Sequence, residues 1–262
     1  MLAKSDTPSD QIAADLAKHG VGTELLAARI RGLVAEAGGV ENLITPRGYR
    51  HLGLAILDAV FSLRAQYDNV VVPLLLRYSN EVSDQFWTRR DDTTLPEHKA
   101  SDVLRQFDRI GDRGFEVMNR QKVNGAGGVA VHKLHVVRSL AEKLVDVGGD
   151  SIKEFHELLN VEPEVKRQVR NVNGVGEACW RYLLNLTRIE RVKPDTRVVA
   201  WVERAIGRRL GSEHVAVLVE TAVLRVRPEL DVTNRQIDHL IWRKESGRQL
   251  GKLERGETDC SS

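Results

Sequence analysis

Apolar residues recur at helical spacing along almost the whole of this sequence, and runs in which apolar and polar residues alternate are scarce. A repeat of three to four residues is typical of amphipathic helices, whereas alternation is typical of strands. The pattern therefore predicts an all-α fold. The 262 residues are enough for one large helical domain or for two smaller lobes with separate cores.

Several helices can be located from this periodicity. Leu25, Ile30 and Leu33 predict one amphipathic helix, and residues 70–78 and 131–145 predict two more. The stretch 52–65 is apolar on too many sides for a surface helix, so we expect it at the centre of the fold. We interpret 83–100 and the glycine-rich 124–128 as loops and 246–262 as a polar tail. We assign three tryptophans to the core, Trp180, Trp201 and Trp242.

Cysteine content and hydropathy exclude several classes of protein. Cys179 and Cys260 are too few for a disulfide framework or an iron–sulfur cluster, and no metal site is expected. No apolar run approaches the roughly 20 residues of a membrane span, and the first ten residues lack the apolar segment of a signal peptide. We therefore expect a cytoplasmic protein without a membrane partner, associated with the nucleoid if the source is prokaryotic.

Charge is distributed unevenly although the net charge is only +2. Residues 161–210 contain eleven Lys or Arg and six Asp or Glu. A basic stretch of this size can neutralise several phosphates of a nucleic acid. A solvated helical face accounts for the count equally well.

Two short helices with a glycine turn between them lie in this basic stretch. Residues 163–172 and 177–187 predict the helices, and Asn173-Gly174-Val175-Gly176 predicts the turn. Glycines let backbone N–H groups approach a phosphate, the start of the second helix adds its positive dipole end, and Val175 can anchor the turn in the core. An ordinary helix–helix turn is the alternative explanation of Gly-Val-Gly alone.

A second motif follows, Lys193-Pro194-Asp195-Thr196-Arg197, in which Asp195 stands 19 residues after Gly176. With this pair of motifs the sequence resembles the helix-hairpin-helix DNA glycosylase superfamily, which includes endonuclease III and the adenine and oxoguanine glycosylases. Members of that superfamily combine a Pro-Gly-Val-Gly hairpin with a Val-Asp-Thr-His segment about twenty residues later. The resemblance implies two helical lobes, a hairpin at about 163–187 and double-stranded DNA as the partner.

Weaker similarities extend the resemblance over roughly residues 45–245, within a predicted domain of 1–245. The segment 61–66 looks like the superfamily's Leu-Ser-Ala-Gln helix end, and His132-Lys133-Leu134 looks like its Lys-Ala helix. Asp238 and His239 fall in the superfamily's closing helix. Two interpretations of that pair are open, support of the active site or a purely structural contact.

Departures from the superfamily pattern bear on the chemistry. Ala178 occupies the place of the lysine that forms a Schiff base in bifunctional members, so we expect a monofunctional enzyme without lysine-dependent β-lyase activity. The cysteine cluster of the iron–sulfur members is absent, Asn173 replaces the hairpin proline, and Arg197 replaces the histidine. No cofactor is expected, apart from a monovalent cation that backbone carbonyls of the hairpin could hold.

The resemblance implies an enzyme that flips a damaged, mismatched or modified base out of duplex DNA and hydrolyses its N-glycosidic bond. Asp195 is the candidate catalytic carboxylate, because a fixed negative charge stabilises the sugar cation that develops. A helix N-cap is its alternative role, and one residue can serve both. The expected DNA contacts are Asn173, Gly174, Val175, Gly176 and Arg197.

A flipped base also requires a wedge in the duplex and a surface that holds the base. Arg64 or Gln66 is the candidate wedge, and Tyr67 and Trp87 are candidate stacking surfaces, although each of these types is more often a packing or surface residue. We expect a monomer. The competing hypotheses are a non-catalytic DNA-binding protein that uses the hairpin as a clamp, and a helical interaction protein with a coincidental Gly-Val-Gly turn.

Overall fold

The computed structural model describes residues 20–46, 48–82, 94, 96–118 and 121–251. Helices dominate this part of the chain, as the periodicity predicts, with one small two-stranded sheet. None of the helices in the described ranges is long and apolar enough to cross a membrane. The described residues fall into two compact units, a terminal unit of 20–46 with 190–251 and a central unit of 48–189.

The central unit contains the sheet and seven helices within the described residues. The helices are α1 (Leu52–Phe61), α2 (Val72–Val82), α3 (Ala100–Met118), α4 (Lys133–Asp146), α5 (Ile152–Leu158), α6 (Glu162–Arg170) and α7 (Glu177–Leu186). A π-helical turn at Tyr67–Val71 precedes α2, and short 3-10 turns lie at Ala126–Gly128 and Leu159–Val161. Helix α3 is broken at Gly111, whose φ is 66°.

Helix α1 is the centre of that unit, because all ten of its residues are buried. It packs against α3, α4 and α7, which confirms the central position expected from its apolar sequence. The helix ends at Phe61, four residues before the predicted end. The buried ammonium of Lys133 stabilises this end, since its Nζ donates a 2.7 Å hydrogen bond to the carbonyl oxygen of Phe61.

The sheet was not predicted from the sequence. Strands β1 (Lys122–Asn124) and β2 (Ala130–His132) pair antiparallel, with Val123 opposite Val131. The predicted break at 124–128 is confirmed as the loop of this hairpin. The helix expected from Val131 begins two residues later, at Lys133, because Val131 and His132 belong to the strand.

The terminal unit has a separate apolar core. Its helices, in the described ranges, are α8 (Gly20–Glu36), α9 (Thr196–Ile206), α10 (Ser212–Leu230) and α11 (Asn234–Glu245), and a 3-10 turn lies at Val40–Asn42. Helix α8 packs along α10, and α9 packs against α11. Ile30 and Leu33 are buried in this core as predicted, whereas Leu25 is exposed.

Candidate functional site

The helical hairpin of the central unit consists of α6, the turn 171–176 and α7. The turn is tight because the N–H of Val175 donates to the carbonyl oxygen of Val172 over 3.0 Å. The Val175 side chain is 5% exposed and belongs to the central core. As expected from the sequence, the valine anchors the turn.

The two glycines of the turn are required for different reasons. Gly174 has a φ of +96°, and a Cβ there would lie 2.8 Å from Cγ2 of Val136, so the fold itself requires glycine. Gly176 has a φ of −100°, which any residue adopts, and a Cβ there would meet nothing within 4 Å. No internal contact therefore accounts for glycine at 176, and its exposed backbone is open to a ligand.

Gly176 is also the N-cap of α7, and no side chain accepts a hydrogen bond at that cap. The first N–H groups of a helix carry a partial positive charge and bind anions such as phosphate. The N-terminus of α7 thus has the geometry of an anion site. The neighbouring Asn173 has an internal role, because its Oδ1 accepts a 2.6 Å hydrogen bond from the N–H of Ala126 in the β-hairpin loop. Its predicted contact with DNA stays a prediction.

A buried carboxylate fixes the two hairpin helices to each other. Glu177 is 5% exposed, and its Oε2 lies 3.1 Å from Nζ of Lys166 and 3.3 Å from a guanidinium nitrogen of Arg170. Its Oε1 accepts a 2.7 Å hydrogen bond from Nε of Arg181. Three cations contact one anion in this cluster, and residues 162–186 as a whole contain four Lys or Arg and three Asp or Glu.

In the terminal unit, Asp195 lies directly before α9. Its Oδ1 accepts hydrogen bonds from the N–H groups of Arg197, at 2.9 Å, and Val198, at 3.1 Å. Asp195 is therefore the N-cap of α9. Its Oδ2 accepts no hydrogen bond from the described residues, so the cap occupies only one of the two carboxylate oxygens.

Two other helices hold the segment that leads to Asp195. Oε1 of Glu220, on α10, accepts a 2.8 Å hydrogen bond from the N–H of Val192, and Oδ1 of Asp238, on α11, accepts a 2.9 Å hydrogen bond from the N–H of Lys193. The N–H of Asp195 in turn donates to the carbonyl oxygen of Lys193 over 2.8 Å. Consecutive backbone N–H groups are thus fixed by carboxylates from different helices.

Asp238 is a carboxyl group with unusual electrostatics. Burial, the negative charge of Asp195 and that of Glu220 raise the pKa of Asp238 to about 8, although the hydrogen bond from the N–H of Lys193 and the Lys193 charge act in the opposite direction. At neutral pH the Asp238 carboxyl is therefore protonated and uncharged. Perturbed carboxyl groups of this kind are frequent at functional sites.

Arg197 lies beside Asp195 and stacks on an aromatic side chain. Its guanidinium carbon is 5.1 Å from the ring centre of Trp242, and that of Arg248 is 4.7 Å from the same ring. The imidazole of His239 stacks on the indole as well. Trp180 and Trp201 are buried as predicted, whereas the prediction for Trp242 was wrong, because its ring is partly exposed among these cations.

A family model described as "Domain of unknown function (DUF8548)" matches residues 28–246, which is most of the chain. The chain belongs to this family. No curated protein and no solved structure matches it. The DUF8548 region includes the hairpin, Asp195 and Asp238.

The candidates for the wedge and the base pocket lie in or near the turn after α1. Arg64 and Gln66 are exposed, and Arg64 has a φ of +52°, which a non-glycine residue rarely adopts. Tyr67 is partly buried, and its hydroxyl donates a 3.0 Å hydrogen bond to the fully buried Asp58. Trp87 lies outside the described residues.

Ala178 and the pair His132 and His135 are the positions that bear on lysine catalysis and metal binding. Ala178, in the first turn of α7, is partly exposed. The rings of His132 and His135 lie 5.7 Å apart, but no three His, Cys, Asp or Glu side chains in the described part of the chain are grouped as metal ligands.

The sequence indicated Asp238 only through its place in the last helix. Its proximity to Asp195, 43 residues earlier, depends on how α9, α10 and α11 pack.

Proposed function

We propose that the protein is a DNA glycosylase that flips an altered base out of duplex DNA and hydrolyses its N-glycosidic bond. The observation that carries this proposal is the arrangement of Asp195, whose Oδ1 caps α9 while Oδ2 accepts no hydrogen bond from the described residues. Its backbone is held through Lys193 and Asp238. A rigidly held carboxylate with a free oxygen is suited to stabilise a cation.

The hairpin supports duplex DNA as the partner. The uncapped start of α7 and the open backbone at Gly176 suit a phosphate. Lys166 and Arg170, which contact Glu177 in the first turn of α7, contribute positive charge to the hairpin. Contacts with the phosphate backbone carry no base information. The hairpin would therefore bind any duplex, and selection of the altered base would take place in the base pocket.

The chemistry follows from these groups. The bond from C1′ of the deoxyribose to the base nitrogen breaks, the base leaves with the bonding electron pair, and the sugar acquires positive charge. The Asp195 carboxylate stabilises this charge and orients a water molecule, whose oxygen bonds to C1′. The proton released by the water neutralises the departing base. The product is an abasic site in an intact strand.

The proposed enzyme acts without a covalent amine intermediate. A covalent route would require a lysine in the first turn of α7 to attack the sugar, and position 178 in that turn is alanine. Hydrolysis by water is then the route left to Asp195. We therefore propose a monofunctional glycosylase that lacks lysine-dependent β-lyase activity.

A second candidate function is non-catalytic DNA binding by the hairpin. The observation in its favour is that capping of α9 is by itself a sufficient structural role for Asp195. The experiment that separates the candidates is incubation of the protein with a panel of duplexes that each carry one altered or mismatched base, followed by alkali. Cleavage at one base after alkali supports the glycosylase. Binding of all duplexes without base release supports the clamp.

A further inference from the structure

Two arginines from different segments of the terminal unit lie over one indole ring. The guanidinium carbon of Arg197, in the first turn of α9, is 5.1 Å from the ring centre of Trp242, on α11, and that of Arg248 is 4.7 Å from the same centre. We call these three residues the arginine stack. Because both distances are measured to one ring centre, two positive charges are held close together. Two like charges in this arrangement repel each other and attract an anion.

The position of Arg248 follows from the way in which α11 ends. Gly247 has a φ of 66°, and its N–H donates to the carbonyl oxygen of Lys244, while the N–H of Arg248 donates to the carbonyl oxygen of Arg243 over 2.9 Å. These two bonds form a Schellman motif, which turns the chain back over the last turns of the helix. Leu250, two residues later, is buried in the terminal core. The backbone therefore places Arg248 over the indole ring.

The structure requires a contact at this place but does not require two arginines. The residue after the glycine of a Schellman motif usually makes an apolar contact with the helix, so an aliphatic side chain at 248 would serve. Arg197 is exposed, and the described residues place no carboxylate within ion-pair distance of its guanidinium. A guanidinium that lies over a ring still has the N–H donors at its edge available for a ligand. These donors match the oxygens of a phosphate.

We propose that the arginine stack binds a phosphate of the DNA backbone, next to the nucleotide whose sugar faces Asp195. Only the placement next to Asp195 rests on the proposed function. Among the three residues of the stack, only Arg197 was expected from the sequence to contact DNA. It stands two residues after Asp195, and each sugar of DNA is joined directly to its phosphates, so sites for the two groups have to be adjacent. The stack also supplies positive charge beside a carboxylate that would otherwise repel the DNA backbone.

The first test measures the affinity for an unmodified duplex by fluorescence anisotropy, between about 50 and 200 mM salt. In Arg197→Gln and in Arg248→Gln, affinity should fall about threefold to tenfold, and the slope of log affinity against log salt should decrease by about 1. Arg31→Gln is the matched control, because it removes the same charge from an exposed ion pair with Glu229, between α8 and α10. We expect it to keep the wild-type slope. Wild-type binding by both stack variants, or an equal loss in the control, overturns the proposal.

The second test removes the ring and leaves the net charge unchanged. Trp242→Leu should lower duplex affinity about threefold or more, whereas Trp242→Phe, which keeps an aromatic face, should stay within about twofold of wild type. A folded Trp242→Leu protein with wild-type affinity overturns the stack as a unit, and the arginine variants decide the question if Trp242→Leu does not fold. If the wild type releases no base from any duplex while the arginine variants lose affinity as expected, the glycosylase fails and the phosphate site stands. A wild type that binds no duplex refutes both.

Discussion

Gly174 and Gly176 provide a paired test of the hairpin, because the same kind of change should have opposite consequences two residues apart. At Gly176 the backbone is extended and a Cβ meets open space, so valine fits there. Loss of the glycine N-cap should cost about 1 kcal/mol of unfolding free energy or less. At Gly174 a φ of +96° costs a non-glycine residue about 1–2 kcal/mol, and the 2.8 Å approach of Val136 adds about 1–3 kcal/mol.

Duplex binding should show the opposite order, with the larger effect at Gly176. The isopropyl group of Gly176→Val would stand where a phosphate approaches the N–H groups of α7, so we expect duplex affinity to fall about tenfold or more, whatever base the duplex contains. The slope of log affinity against log salt should decrease by about 1, the equivalent of one lost phosphate contact. Urea unfolding and fluorescence anisotropy with a labelled duplex measure both effects. A folded Gly176→Val protein with wild-type affinity and salt slope would refute the phosphate site.

Three further predictions concern the Glu177 cluster of the hairpin, the reaction product and the carboxyl group of Asp238. Glu177→Gln should lower the unfolding free energy by about 2–4 kcal/mol in urea titrations, because it removes a buried carboxylate that three cations contact. Glu164→Gln breaks only an exposed pair and should change the unfolding free energy by about 0.5 kcal/mol or less. An equal effect of both changes would contradict the structural role of the cluster. Because position 178 is alanine, borohydride should trap no protein–DNA adduct, and the DNA strands should stay intact until alkali is added. A trapped adduct would show that another amine is the nucleophile. Folding raises the pKa of Asp238 from about 4 to about 8, so the unfolding free energy of the wild type should decrease as the pH rises through this range. The Asp238→Asn protein should lack about 2–3 kcal/mol of that decrease between pH 5 and pH 8. Parallel stability curves for the two proteins would mean that Asp238 titrates normally.

The helices could be predicted from the sequence because their signals are local. The repeat in 52–65 located α1, and the glycines at 174 and 176 located the turn between α6 and α7. The sheet could not be predicted, since β1 and β2 have three residues each and offer too short a stretch for alternation to be recognised. The end of α1 was also misplaced, because the chain leaves the helix before Arg64, whose φ of 52° is incompatible with a right-handed helix, and no glycine announces this position.

In the candidate site, too, local features could be predicted from the sequence, whereas contacts between distant residues could not. Asp195 could be selected from its motif and its place before a helix, and capping is a local interaction. Asp238 could be named from the sequence only by its place in the closing helix, and Glu220 could not be named at all. Their contacts with Lys193 and Val192, respectively, arise from the packing of three helices. Trp242 was assigned to the core on residue type alone, but long cationic side chains cover its ring.

Asp195→Asn tests the proposed catalytic role most directly. Asparagine caps helices about as well as aspartate, so the unfolding free energy should change little and duplex affinity should hold. The variant lacks the charge that would stabilise the sugar cation, so single-turnover base release should fall about a hundredfold or more, equivalent to about 3 kcal/mol of transition-state stabilisation. Base release at the wild-type rate by a folded Asp195→Asn protein would contradict the account.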